Sequence, residues 1–184
     1  MNIKTFLHLA HFDKDGNLIE EKEQECNSLV KGFIGILNAQ SSQSAEVVVE
    51  IGGVSRNGTA TASNFSTVAA GGLVTRGIIV GTGTTAVAYT QYVLVTPVAH
   101  GTGASQLSYG TQVFDAASTD TGSAYYFGMN RSFTNSSGGD INIKEVGIYS
   151  QWATAYSVMV ERTLLDHNIT NGTSITLTYK WQIT

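Results

Sequence analysis

Thr173-Ser174-Ile175-Thr176-Leu177-Thr178-Tyr179-Lys180-Trp181-Gln182-Ile183 alternates apolar and polar side chains without a break. Successive side chains of an extended chain point to opposite sides, so Ile175, Leu177, Tyr179, Trp181 and Ile183 share one face, and Thr176, Thr178, Lys180 and Gln182 share the other. The stretch therefore predicts a strand with one buried and one wet face, as antiparallel sheets require. Trp181, on the apolar face, is expected in the core.

The same period of two recurs upstream. Residues 46–51, 74–80, 91–95, 106–114, 124–134, 140–149 and 155–162 are rich in β-branched and aromatic residues and are separated by turn-forming residues, which brings the total to about eight strands. In 124–134 the set Tyr125, Phe127, Met129, Arg131 and Phe133 alternates with smaller or polar residues. Ile141 and Ile143 are out of phase with Val146 and Ile148, and one extra residue near Lys144-Glu145, a β-bulge, restores the pattern.

Nearer the N-terminus, residues 4–12 and 18–22 predict two strands around Asp13-Lys14-Asp15-Gly16-Asn17, a hairpin turn in which Gly takes positive φ cheaply. Asn27-Ser28 offers a helix cap, and Leu29, Val30, Phe33, Ile34 and Leu37 recur at helical spacing, with an end expected near Asn38. The fold expected is mainly β: an antiparallel β-sandwich, jelly-roll-like, with an N-terminal β-hairpin and one short α-helix. Residues 1–45 would pack on or anchor a sandwich domain formed by residues 46–184.

Charge is sparse and uneven. Charged residues make up 13% of the chain, against about 25% in ordinary domains, and twelve of the 24 lie in the first 50 positions. Residues 57–114 carry one formal charge, Arg76. Cores of protein interfaces are depleted in charge, so this neutral stretch is expected to be covered by other subunits. Its first part, 57–72, has little periodicity and predicts a long surface loop ordered against a partner.

Net charge of −4 without a Lys/Arg cluster excludes a nucleic-acid footprint, which needs cations to displace phosphate counterions. No apolar run nears the roughly 20 residues that cross a bilayer, and the N-terminus has no signal core. A soluble protein made in the cytoplasm is expected. Cys26 is alone, so no internal disulfide can form, and it is expected to be a small buried hydrophobe.

The motifs that suggest chemistry fail on context. Gly81-Thr82-Gly83-Thr84-Thr85-Ala86 matches the dinucleotide fingerprint in letters, but a strand-like run follows where a helix is needed, and the first acid is Asp115. Asp13-Lys14-Asp15-Gly16 lacks the Gly and Glu of a calcium loop, since Leu18 and Gln24 stand there. His8 and His11 are three apart on a strand and so face opposite ways, while His100 and His167 are placed in loops as surface residues. No nucleophile elbow is present. Asn57, Asn64, Asn135, Asn168 and Asn171 fit the glycosylation pattern, which an Asn/Ser/Thr-rich β protein produces incidentally. No catalytic residue, cofactor site or metal site is expected.

The runs Gly77-Ile78-Ile79-Val80-Gly81-Thr82-Gly83-Thr84-Thr85, Leu107-Ser108-Tyr109-Gly110 and Arg131 to Tyr149, with the alternating tail, resemble structural proteins of tailed-bacteriophage virions. The resemblance covers roughly the C-terminal two thirds. It implies a non-enzymatic virion component that forms homo-oligomers and binds other virion proteins. The favoured role is a decoration or cement protein on the major capsid protein, and the alternative is a tail, neck or fibre-attachment protein. Arg76, Tyr89, Tyr92, His100 and Trp152 are the candidate interface residues. From another class comes a carbohydrate-binding sandwich using Trp152, Tyr156 or Trp181, whose rings offer apolar faces with polar edges. Trp152, placed in a loop, is its best candidate.

Overall fold

The computed structural model describes residues 3–26, 29–58, 65–152 and 155–183. Along the chain come β1 (Ile3–Phe12), β2 (Leu18–Cys26), α1 (Lys31–Ser42), β3 (Glu46–Val49), β4 (Ser55–Gly58), β5 (Gly77–Gly81) and β6 (Ser108–Tyr109). Then follow β7 (Val113–Phe114), β8 (Thr119–Asp120), β9 (Tyr125–Thr134), β10 (Ile141–Trp152), β11 (Tyr156–Ile169) and β12 (Ser174–Ile183). The protein is mainly β, its sheets are antiparallel, and the described residues include one helix, as the sequence pattern predicts.

The largest sheet has the order β2-β1-β12-β9-β6, with the short β7 and β8 also on β9. A second sheet runs β11-β10-β5, and β3-β4 is a separate hairpin. β12 lies between β1 and β9, with Leu177 opposite Leu9 and Arg131, and Tyr179 opposite Leu7 and Met129. The N-terminal hairpin is thus continuous with the main sheet through ten residues of register. Its turn is held by the Asp13 carboxylate, which accepts from the amides of Asp15 and Asn17, with Gly16 at φ 84°.

The two sheets pack their apolar faces together in a sandwich-like arrangement. Leu7, Leu9, Met129, Phe133, Ile175, Leu177 and Tyr179 from the first meet Ile78, Ile143, Val146 and Ile148 from the second in one buried cluster. The register of β10 on β11 slips between Ile143 and Glu145, which is the bulge that the phase change predicts. Past it, Val146 and Ile148 return to the core, and Glu145, Gly147 and Tyr149 engage the chain segment 82–98. The end of that segment runs beside β5, where Val98 N donates to Val80 O, and its middle covers the outer side of the second sheet.

Two expected strands are replaced by irregular chain. Residues 91–95 form none, because their amides go to side chains: Leu94 N donates to Tyr149 Oη and Val95 N to Glu145. Residues 106–114 give only β6 and β7, since Gln112 N turns to Ala69 O between them. The helix ends at Ser42, four residues beyond expectation, with Gln43 at φ 54° after it, and its N-cap Val30 makes no side-chain cap bond. Asn27 and Ser28 lie outside the described residues. The helix packs on β3 and β11 through glycine: a Cβ at Gly35 would sit 2.4 Å from Val48 Cγ1, and one at Gly32 2.3 Å from Met159 O. Ile36 and Ala39 are buried, but Ile34 and Leu37 of the expected apolar face are exposed.

Candidate functional site

The inner face of the main sheet extends past the second sheet. Met129, Arg131 and Phe133 of β9 are buried, whereas Tyr125 and Phe127 of the same alternating set are exposed. Across the ladder Phe127 pairs with Trp181, and Tyr125 with Ile183. Together with Leu29, Phe33 and Phe65 these residues line an apolar groove of about 680 Å³. Trp181 is stacked between Phe33 at 6.0 Å and Phe127 at 6.4 Å, and Phe65 meets Phe33 edge-on at 5.9 Å. Trp181 is therefore half-buried: the core holds one side of it and the groove the other. Across α1, exposed Ile34 lies beside Val47 and Tyr92 around a second depression, and Leu37 of the same helix is exposed as well. Apolar side chains are thus exposed on both flanks of one helix.

The neutral stretch has a role in the interior that its composition does not advertise. Arg131 is fully buried, and no carboxylate is among its partners. Its Nε donates to Gly110 O, Nη1 to Arg76 O and Ile78 O, and Nη2 to Ala70 O and Leu73 O. All five N–H groups of the guanidinium are thus satisfied by carbonyls. Its charge also lies 4.9 Å over the Tyr109 ring. Burial lowers the Arg131 pKa to about 10, which leaves it charged at neutral pH.

On the far side of the second sheet, Arg162 Nε donates to Glu145 Oε2 at 2.7 Å, with both side chains fully buried. Arg162 continues to Gln91 Oε1 and Thr85 O, and Glu145 accepts from the amides of Gly83, Val95 and Thr96. A buried ion pair is tolerated only when its remaining hydrogen-bonding capacity is met, and residues 83–96 meet it here. This also accounts for the Gly81/Gly83 pair. A Cβ at either would lie 2.5 Å from Glu145 Oε1, so these glycines make room for a carboxylate rather than a pyrophosphate.

The five candidate interface residues separate into unlike positions. Tyr89 is 74% exposed, and its carbonyl accepts from Lys31 N at the start of α1. Tyr92, on the same loop, lines the depression beside that helix. His100 is exposed elsewhere, its Nδ1 accepting from Tyr109 N. Arg76 is half-buried and bound to Gln151 Oε1 at 2.7 Å. Trp152 corrects the expectation outright: it lies on β10, not in a loop, and is 0% exposed, with Gly58 of β4 against its indole. It cannot contact a partner or a glycan without β4 moving away.

His167 is likewise corrected. It stands on β11 rather than in a turn, and it is buried against His11 of β1. His8 faces away from that pair, as the three-residue separation predicts. The pair was missed because sequence distance says nothing about which strands stack across a sandwich.

Among the described residues no helix is long and apolar enough to cross a membrane. No protein-family model, curated protein or solved structure matches the chain.

Proposed function

We propose that the protein is a non-enzymatic structural component of a tailed-phage virion, a decoration or cement protein that binds the head shell. The observation that carries this reading is the aromatic groove formed by Phe33, Phe65, Tyr125, Phe127 and Trp181, with Ile34 and Leu37 also exposed on α1. Aromatic residues are enriched, and charge depleted, at the centres of protein interfaces. The groove lies where the sandwich lacks its second sheet, so a partner would complete a core already half built. The sequence resemblance supplies the kind of partner, a capsid shell protein. Among the described residues, the buried charges of Arg131, Glu145 and Arg162 are tied to backbone groups, a structural use. The carbohydrate-binding alternative loses its best residue with the burial of Trp152.

Mass spectrometry of purified virions, with cryo-EM localisation, tests the reading. The chain should be present on the head in hundreds of copies, with Phe127 and Trp181 at the contact. About six or twelve copies at the neck or tail would favour the tail alternative, as ring symmetry dictates. Absence from the particle would overturn both.

A further inference from the structure

His11, His167 and Glu20 come from β1, β11 and β2, and one ligand atom of each lies within 4.8 Å of the other two. Both imidazoles are buried, at 6% and 4% exposure. The hydrogen bonds fix the protons. Thr173 Oγ1 donates to Thr170 O at 2.7 Å, so toward His11 Nε2 at 2.8 Å it can only accept. His11 is therefore the Nε2–H tautomer, and its bare Nδ1 points at His167 Nε2, 3.1 Å away. Glu20 Oε2 lies 3.8 Å from Nδ1 of the same His167 ring.

From this geometry we propose that His11 Nδ1, His167 Nε2 and Glu20 bind one divalent transition-metal ion of the Zn²⁺ class, which ties the two sheets together. Two imidazole nitrogens at Zn–N distances of about 2.0–2.1 Å are about 3.3 Å apart in a tetrahedral shell, close to the separation of the facing nitrogens. His167 gives up its Nε2 proton by shifting to the Nδ1–H tautomer, with no net proton release. Thr173 already serves His11 as an outer partner of the kind that orients metal-bound histidines. Burial lowers both histidine pKa values and favours neutral, ligating rings, with Lys22 adding to this and Glu20 opposing it. Glu20 also holds Lys22 at 2.8 Å, so it exchanges part of that contact for the ion. A fourth position remains for water.

Zn²⁺ is titrated into the metal-stripped full-length chain, with calorimetry for stoichiometry and imidazole ¹⁵N resonances for location. One equivalent should bind and shift the His11 and His167 nitrogens while leaving His8 and His100 unmoved. His11→Gln and His167→Gln should each weaken binding at least tenfold, and Glu20→Gln should weaken it less. No change in the His11 and His167 resonances of the wild-type chain at excess Zn²⁺ would overturn the site, even if the variants failed to fold. Binding that persists undiminished in both folded histidine variants would overturn it too.

Discussion

Arg131 shows how one residue can organise a fold. On sequence it is the polar member of an otherwise apolar set, and its place opposite Leu177 puts a permanent cation between two sheets. The structure solvates it with five carbonyls drawn from residues 70–78 and 110, so the guanidinium ties those loops to the core. Arg131→Lys keeps the charge but supplies three donors in place of five, so at least two carbonyls lose their guanidinium donor, although Ala70 O still accepts from Leu73 N. Each buried carbonyl left without a donor costs about 1–3 kcal/mol, so a loss of roughly 1–6 kcal/mol is expected. Urea denaturation of both chains measures it, and a loss below about 1 kcal/mol would mean that the cage is dispensable. The phase of Arg131 was legible in the alternation of residues 124–134. Its ligands were not, because backbone carbonyls leave no mark in the sequence. The same holds for Glu145, whose location at the bulge was readable from the phase change, while the three amides that hold it were not.

Among the elements, strands were most legible where one face is buried and the other wet, as in β9 and β12. They were least legible in residues 82–98, whose β-branched content resembles a strand while its amides serve Glu145 and Tyr149. The neutral composition of residues 57–114 fits a cover for subunits, yet much of it serves as the inner lining for charges carried by β9, β10 and β11. The apolar period found the helix but set it too early, with an end at Asn38 where it runs to Ser42, and its buried face was misjudged because glycine sets the approach. Gly32 and Gly35, with no apolar weight, face the sheets, and the bulky Ile34 and Leu37 point outward. Gly32→Ala tests this. Helix propensity alone favours Ala by about 1 kcal/mol. Here the new Cβ would lie 2.3 Å from Met159 O, a backbone atom inside a paired strand that cannot yield as a side-chain tip would. The substitution should lower Tm, and a Tm at or above that of the parent chain would show that helix and strand are not in close contact.

For the whole molecule, two buried titratable sites oppose each other in their effect on stability. Glu161, opposite Ile148 on the inner side of β11, accepts from Tyr179 at 2.6 Å and from Thr163. Burial raises its pKa to about 7, against the pull of those hydroxyls and of Arg162. The folded state then holds this proton more tightly than the unfolded chain does. Its contribution is complete below the unfolded value of 4.5 and is lost as pH rises toward 7. His11 and His167 work the other way. Their pKa values are lowered, chiefly by burial, so their contribution is complete above 6.5 and is lost as pH falls through the folded values. The two contributions therefore change in opposite directions as pH rises from 4.5 to 6.5. Glu161→Gln separates the two effects, because an amide can still bond both hydroxyls while carrying no charge. The histidine contribution is common to both chains, so it cancels when their unfolding free energies are subtracted. That difference should grow in favour of the variant between pH 4.5 and 7 and level off above, as measured by denaturant titrations at closely spaced pH values. A difference that stays constant across the window would mean that Glu161 titrates normally and that its site is open to water.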